Sequence, residues 1–358
     1  MRQDRSAIRT KGWGRSPGAA LLLLLLPLTI LAASAAELSP AASADLARAD
    51  RLYAERSYAL ALPVYEEWEK AGGLPPERRD DVGLRVAVCL GKTQKWDRAR
   101  DVTLVYLKAH QGTLWEARAL VWLAVLYEKF PDTGYRLGDR LLRERESARQ
   151  GYGGSVTSVA LGDQHARNGL HALEAARVLY QSYRETAGLE EEEIQLNYAL
   201  ISALTGSNQL SRWLRKQDWA PPEDPTWQVD PTEPYSPAWP PPRKHRYLFE
   251  QISRLTERLE PGSRRTDLNR VAEAVWFHTY HQQMRWAARK RDEQGRPVGK
   301  ELIPYPYQER SAVALLQEVI ARKPDDSLGD QTSLRLAEWK RENGKPGEVV
   351  ADLRRFLQ

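Results

Sequence analysis

One cysteine among 358 residues leaves the chain without an internal disulfide, so its fold must be held by packing. Cys89 sits in the apolar run Val86-Ala87-Val88-Cys89-Leu90, which suits a buried, inert thiol. A strong field of one sign is also missing. The formal charge is +5, but five of the 53 basic residues and one of the 48 acidic residues lie in positions 1–36. The remainder is nearly neutral and carries no overall basic field for nucleic acid. Strand signals are almost absent, with no Asn-Gly or Asp-Gly hairpin flanked by alternating β-branched residues. The motifs of several chemistries are missing too. There is no HExxH or cysteine cluster for zinc, no GKS/T phosphate loop, no EF-hand ligand series and no Gly-x-Ser-x-Gly elbow. The chain therefore reads as non-enzymatic, with no cofactor and no metal.

Long hydrophobic runs are scarce outside the N-terminus. Arg2, Arg5, Arg9, Lys11 and Arg15 precede an apolar stretch from Ala19 to Leu31 that includes Leu21–Leu26. Small residues, Ala32-Ala33-Ser34-Ala35-Ala36, follow before Glu37. This order of basic, apolar and small segments is that of a secretory signal peptide, with cleavage expected after Ala35 or Ala36. An uncleaved membrane anchor is the alternative. The protein is expected to be exported, periplasmic or secreted, with membrane contact only through this segment.

What the sequence has in quantity is helical periodicity. Leu46, Ala49, Leu52 and Tyr53 form one stripe, and Ala61, Val64, Tyr65 and Trp68 form the next. The break at Glu55-Arg56-Ser57 is short enough to make the two helices antiparallel neighbours. Val82–Leu90 and Trp96–Leu107 repeat the layout, with a third pair expected at Trp115–Phe130 and Tyr135–Arg145. Aromatics opening the second helix fall at Tyr58, Trp96 and Tyr135. Ala49 and Ala87 precede the first two of these, and Ala61 and Ala99 follow them. Small residues at such points allow helices to cross closely.

This spacing resembles the tetratricopeptide repeat. Ala49, Leu52, Tyr58, Ala61 and Tyr65 match its pattern in the first unit, and Ala87, Leu90, Trp96 and Ala99 in the second. Ala312, Leu316, Val319 and Pro324 reproduce the second-helix spacing near the C-terminus, followed by Ala337, Gly344, Val349, Leu353 and Phe356. The departures are longer units, Gln94 in the place of a glycine and Val349 in the place of an alanine. The resemblance implies an all-α solenoid of antiparallel helix pairs similar to the repeats of bacterial exported proteins. Bacterial proteins similar to alpha-2-macroglobulin carry such repeats in their N-terminal portions.

Two interruptions divide the pattern. Gln150–Asp163 holds four glycines and reads as a loop, with helix resuming near His165. Four consecutive glutamates, Glu190–Glu193, favour the N-terminus of a further helix through its dipole. Asp218–Arg243 holds nine of the 22 prolines together with Trp219, Trp227 and Trp239, and cannot be helix. It reads as an extended strap across the helices, or else as a docking segment, and Lys244–Leu259 restarts helix behind it. The organisation expected is a signal peptide (1–36), a helical repeat domain (37–217), a Pro/Trp-rich linker or strap (218–243) and a second helical segment (244–358).

The chemical candidates have plain structural readings. His278 and His281 share a helix face but lack a third ligand and read as structural histidines. Glu146-Ser147 resembles the catalytic pair of lytic transglycosylases, yet the element that follows it in those enzymes is absent. Arg285, Arg289, Lys290, Arg291 and Arg296 form a basic cluster that reads as a solvated face. The function expected is a protein-interaction scaffold of the bacterial cell envelope that holds a protein or peptide on its concave face. The alternatives are the helical N-terminal region of a larger alpha-2-macroglobulin-like protein and a peptidoglycan-handling enzyme on a helical superhelix. Within a tetratricopeptide-like pair the first helix lines the inner surface. Arg48, Arg51, Arg85 and Arg118 are therefore the expected ligand-facing residues, since a guanidinium can grip a carboxylate in two hydrogen bonds.

Overall fold

A computed structural model describes residues 40–72, 74–130, 133–137, 140–142, 157–184, 186–206, 229–287, 289–291, 297–302, 309–322 and 327–342, with isolated positions at 347, 349 and 350. The signal segment lies outside these residues. The chain is mostly helical, with eleven helices among the described residues. They are α1 (Pro40–Ala54), α2 (Tyr58–Ala71), α3 (Pro76–Lys92), α4 (Trp96–Ala109), α5 (Leu114–Lys129), α6 (Gly162–Gln181), α7 (Glu190–Gly206), α8 (Pro241–Leu259), α9 (Arg264–Ala287), α10 (Glu309–Arg322) and α11 (Ser327–Glu342). Each packs on its successor. No helix among the described residues is long and apolar enough to cross a membrane.

The ends of these helices follow from local sequence. Pro76 and Pro241 stand at first helical positions, where the missing N–H has no intrahelical partner to lose. Thr113 caps α5 by accepting from the Glu116 N–H at 3.2 Å, while the Glu116 carboxylate accepts from the Gly112 N–H at 2.5 Å. The first bond satisfies a donor that the first turn leaves open, and the second ties the residue before the cap to that turn. The α1–α2 and α3–α4 turns are copies of each other. Arg56 and Gln94 both adopt φ 63°, and the Ser57 and Lys95 N–H groups bond Leu52 O and Leu90 O at 2.8 and 2.9 Å. A left-handed residue at this point closes the first helix and reverses the chain.

The core begins with the apolar stripes read from the sequence. Ala49, Ala61, Ala87 and Ala99 are completely buried, so the helices can approach closely there. Leu46, Leu62, Tyr65, Leu90 and Tyr106 fill the same cluster around buried Cys89, whose thiol burial pushes up to about 12. Gly91 is just as constrained: an added Cβ would come within 2.5 Å of the Trp122 ring. A second cluster joins Ala117 and Val121 of α5, Leu170, Leu173, Ala176 and Tyr180 of α6, and Leu196, Leu200 and Leu204 of α7. It continues into Tyr235 of the proline-rich segment and Tyr247 and Leu248 of α8. The apolar core is thus continuous across residues 229–248. Trp239 packs edge-on against Tyr235 and Tyr247, with ring centroids 5.7 and 5.2 Å apart. Trp219 and Trp227 lie outside the described residues. Farther along, Ala274 and Phe277 of α9 meet Ala312 and Leu316 of α10 and Leu336 and Trp339 of α11.

Two expectations fail after Phe130. The partner helix expected at Tyr135–Arg145 is instead β1 (Thr133–Leu137) and β2 (Arg140–Leu142), and the expected loop contains β3 (Thr157–Ala160). The strands form one antiparallel sheet in the order β2–β1–β3, with Thr133 opposite Ala160 and Tyr135 opposite Leu142. Pro131 and Gly134 weaken any helix here, and residues some twenty positions away supply the strand hydrogen bonds. Tyr135 therefore does not open a helix, and α6 is the helix that packs on α5. A further hairpin, β4 (Arg289–Arg291) with β5 (Pro297–Leu302), falls on part of the expected basic cluster. Helix α6 starts at Gly162 and α8 at Pro241, each a few residues ahead of expectation.

Candidate functional site

The four arginines chosen from the sequence do not share one surface. Arg48 and Arg51 are exposed on α1, whereas Arg85 and Arg118 are buried and taken up by carboxylates of the chain itself. Arg85 bonds Asp81 through Nε at 2.9 Å and, through Nη1, both Asp50 and the Tyr65 hydroxyl at 3.0 Å. Arg78 bridges the same two aspartates at 2.7 and 2.8 Å. Burial alone would lower the Arg85 pKa, but Asp81, Tyr65 and Asp50 outweigh it and hold the guanidinium charged. Arg85 and Arg118 consequently cannot face a ligand groove. Their sequence positions were compatible with either role, and the facing aspartates and Glu192 decided it.

Arg118 belongs to a larger arrangement around the start of α7. Its Nε and Nη2 donate to Glu192 Oε2 and Oε1 at 2.9 and 2.7 Å, and the Tyr180 hydroxyl donates to Oε2 at 2.7 Å. The neighbouring glutamates pair elsewhere. Glu190 reaches Arg258 of α8 at 3.8 Å, Glu191 reaches Arg265 of α9 at 2.8 Å, and Glu193 reaches Arg177 of α6 at 3.1 Å. Successive residues on a helix project about 100° apart, so four in a row cover the whole circumference. Each therefore meets a different helix. Hydrogen bonds from Arg265 hold the Glu191 carboxyl below its ordinary value, while burial raises Glu193.

The structure opens next to this hub. A recess of about 480 Å³ lies between α8, α9 and the C-terminal end of α10, lined by Arg254, Arg258, Arg270 and Arg322 with Ser253, Thr266 and Glu257. Arg270 is shared with an adjoining recess of about 360 Å³, whose apolar lining includes Val229, Pro231, Phe277 and Leu315. Arg270 faces Glu273 at 3.4 Å and Glu250 at 3.5 Å; Arg322 faces Asp267 at 3.1 Å and Glu318 at 3.2 Å. Arg254 makes no ion pair with a described residue. The i, i+4 spacing of Arg254 and Arg258 was legible on an amphipathic helix. That Arg270 and Arg322 join them was not.

Two buried groups, one on α9 and one on α8, titrate in opposite senses. Burial pushes the Glu273 carboxyl up to about 7; Arg270 opposes this in part and Glu250 adds to it. Burial draws His245 down to about 4, against the hydrogen bonds it makes to the Pro241 and Ile201 carbonyls. Its ring stacks on Trp276 at 4.3 Å. A carboxyl with a raised folded pKa contributes stability at low pH and loses it as pH climbs through about 7. A histidine with a depressed value contributes stability above its unfolded pKa of about 6.5 and loses it as pH falls toward about 4. The two slopes offset each other in the parent. Glu273→Gln is therefore expected to lose roughly 2 kcal/mol between about pH 7 and about pH 5, where the parent changes little. Urea unfolding at the two pH values checks this, and parallel profiles for both proteins would sink it.

Of the remaining sequence candidates, His278 has a described side chain. His278 stacks on Trp339 with centroids 4.2 Å apart, as a structural histidine does. The side chains of His281, Arg285 and Arg289–Arg291 lie outside the described residues, as do Glu146-Ser147 and Arg296. No group of three or more histidine, cysteine, aspartate or glutamate side chains among the described residues is placed to hold a metal ion. Neither a protein-family model nor a curated protein sequence matches this chain.

Proposed function

We propose that the protein is a non-enzymatic interaction scaffold of the bacterial cell envelope, built as a solenoid of antiparallel helix pairs similar to tetratricopeptide repeats. The observation that carries this reading is the repetition across the first two pairs. Ala49 and Ala61, then Ala87 and Ala99, are fully buried at equivalent places, and both turns place a left-handed residue at the same position. Paired in this way, the helices run α1/α2, α3/α4, α5/α6, α7/α8 and α9/α10, with α11 beginning a sixth unit. Connections between pairs are then short throughout. The expanded ones fall within pairs: 130–161 between α5 and α6, 207–240 between α7 and α8, and 288–308 between α9 and α10.

In an antiparallel array all within-pair turns lie along one edge, so that edge carries the sheet, the strap and the hairpin. A stacked array offers an extended surface to a protein or peptide rather than a closed reaction pocket. The Arg/Leu-rich N-terminus supports export of such a scaffold. Affinity capture from envelope extract, with cross-linking mapped by mass spectrometry, tests the reading. A specific protein cross-linked to the helices is the expected result. Turnover of peptidoglycan fragments by the purified chain, or no captured protein, would overturn it.

A further inference from the structure

We propose that the recess between α8, α9 and α10 binds an acidic, extended peptide, with carboxylates held by the arginines and a neighbouring apolar side chain held in the adjoining recess. The inference rests on the scaffold reading above and names the chemistry of its partner.

Charge comes first. The recess has four arginines against one glutamate, in a chain whose body beyond the N-terminal segment is nearly neutral. Two of the four have local partners: Arg270 is tied to Glu273 and Glu250, and Arg322 to Asp267 and Glu318. Arg254 and Arg258 differ. They stand at i, i+4 on the exposed side of α8, where like charges destabilise a helix. Arg258 reaches Glu190 at 3.8 Å, has Glu193 in its field and remains 60% exposed; Arg254 is exposed and feels Asp230 without forming an ion pair among the described residues. An incoming carboxylate relieves this repulsion and can take two hydrogen bonds from each planar guanidinium. The first turn of α9, which brings Thr266 to the recess, adds the positive end of a helix dipole.

Shape then selects the ligand. At about 480 Å³ the basic recess is far larger than a single phosphate needs, and through Arg270 it runs into a second recess. Phe277, Leu315, Pro231 and Val229 give that recess apolar wall beside Arg246, and its three glutamates, Glu250, Glu273 and Glu318, are already paired with Arg270 or Arg322. A free phosphate has nothing to place there. A peptide with acidic residues next to an apolar one fills both.

The test is fluorescence anisotropy on the full chain, titrated against a short fluorescein-labelled peptide carrying adjacent glutamates and a nearby leucine. Expected are saturable binding that weakens as salt is added and a loss of roughly tenfold or more in Arg254→Glu/Arg258→Glu. A peptide with lysines in place of the glutamates should bind the reversed variant better than the parent. No peptide binding to the parent, or equal binding to parent and variant, overturns the proposal. So does binding of inorganic phosphate at the arginines without binding of the peptide. Should the reversed variant fail to fold, Arg254→Gln/Arg258→Gln and the salt dependence of the parent decide in its place. A partner captured from envelope extract equally by parent and variant overturns this inference and leaves the scaffold reading intact; absence of any captured partner strikes the scaffold reading itself.

Discussion

Replacing Arg118 by methionine is expected to destabilise the protein by about 3–5 kcal/mol, a cost typical of stranding a buried charge. The stranded group is Glu192, whose side chain is 2% exposed and which would keep only the Tyr180 hydroxyl as donor. Water cannot reach the carboxylate, and a single hydroxyl does not replace a two-pronged guanidinium. Thermal and urea unfolding of Arg118→Met should therefore both show a large loss. The double variant Arg118→Met/Glu192→Leu removes both charges and should regain most of it, because an apolar pair of similar volume avoids the desolvation cost. A single variant within about 1 kcal/mol of the parent would refute the placement of this pair. Recovery in the double variant separates a stranded charge from simple loss of packing against Trp115, whose ring lies 4.7 Å from the guanidinium carbon.

Tryptophan at Ala61 or Ala99 should cost about 3 kcal/mol or more, near the upper end for an overfilled core. Both alanines are fully buried where neighbouring helices meet, and an indole at either point must push α2 or α4 away from its neighbours. Leu60→Trp, one residue from Ala61 and 63% exposed in the parent, provides the control and should melt like the parent. The contrast between adjacent positions depends on helix register rather than on the bulk of tryptophan. Equal melting temperatures for Ala61→Trp and Leu60→Trp would mean that the face assigned to α2 is wrong.

The amino-acid sequence alone determined the helices of the first two pairs, their turns and their close-crossing alanines. Those features are local: a stripe repeats within one turn of helix, and a three-residue break allows little but antiparallel packing. The start of α7 at Glu190 was legible for the same reason, since the helix dipole acts within a single turn. Tertiary structure alone decided what those glutamates do sideways. Glu191 and Glu192 bond arginines 74 positions away in sequence, and the spacing within 190–193 says nothing about which helices surround α7. The same holds for Arg85 and Arg118, which occupy first-helix positions like Arg48 and Arg51 yet are sealed by Asp50, Asp81 and Glu192. It holds for β1, where Tyr135 continues the repeat spacing of Tyr58 and Trp96 but Ser158 and Leu142 provide strand partners. It holds also for the arginine recess, where Arg322 at the end of α10 joins residues of α8 and α9. Periodicity fixes which face of a helix is apolar; which charges meet across that face depends on neighbours brought together only when the chain has folded.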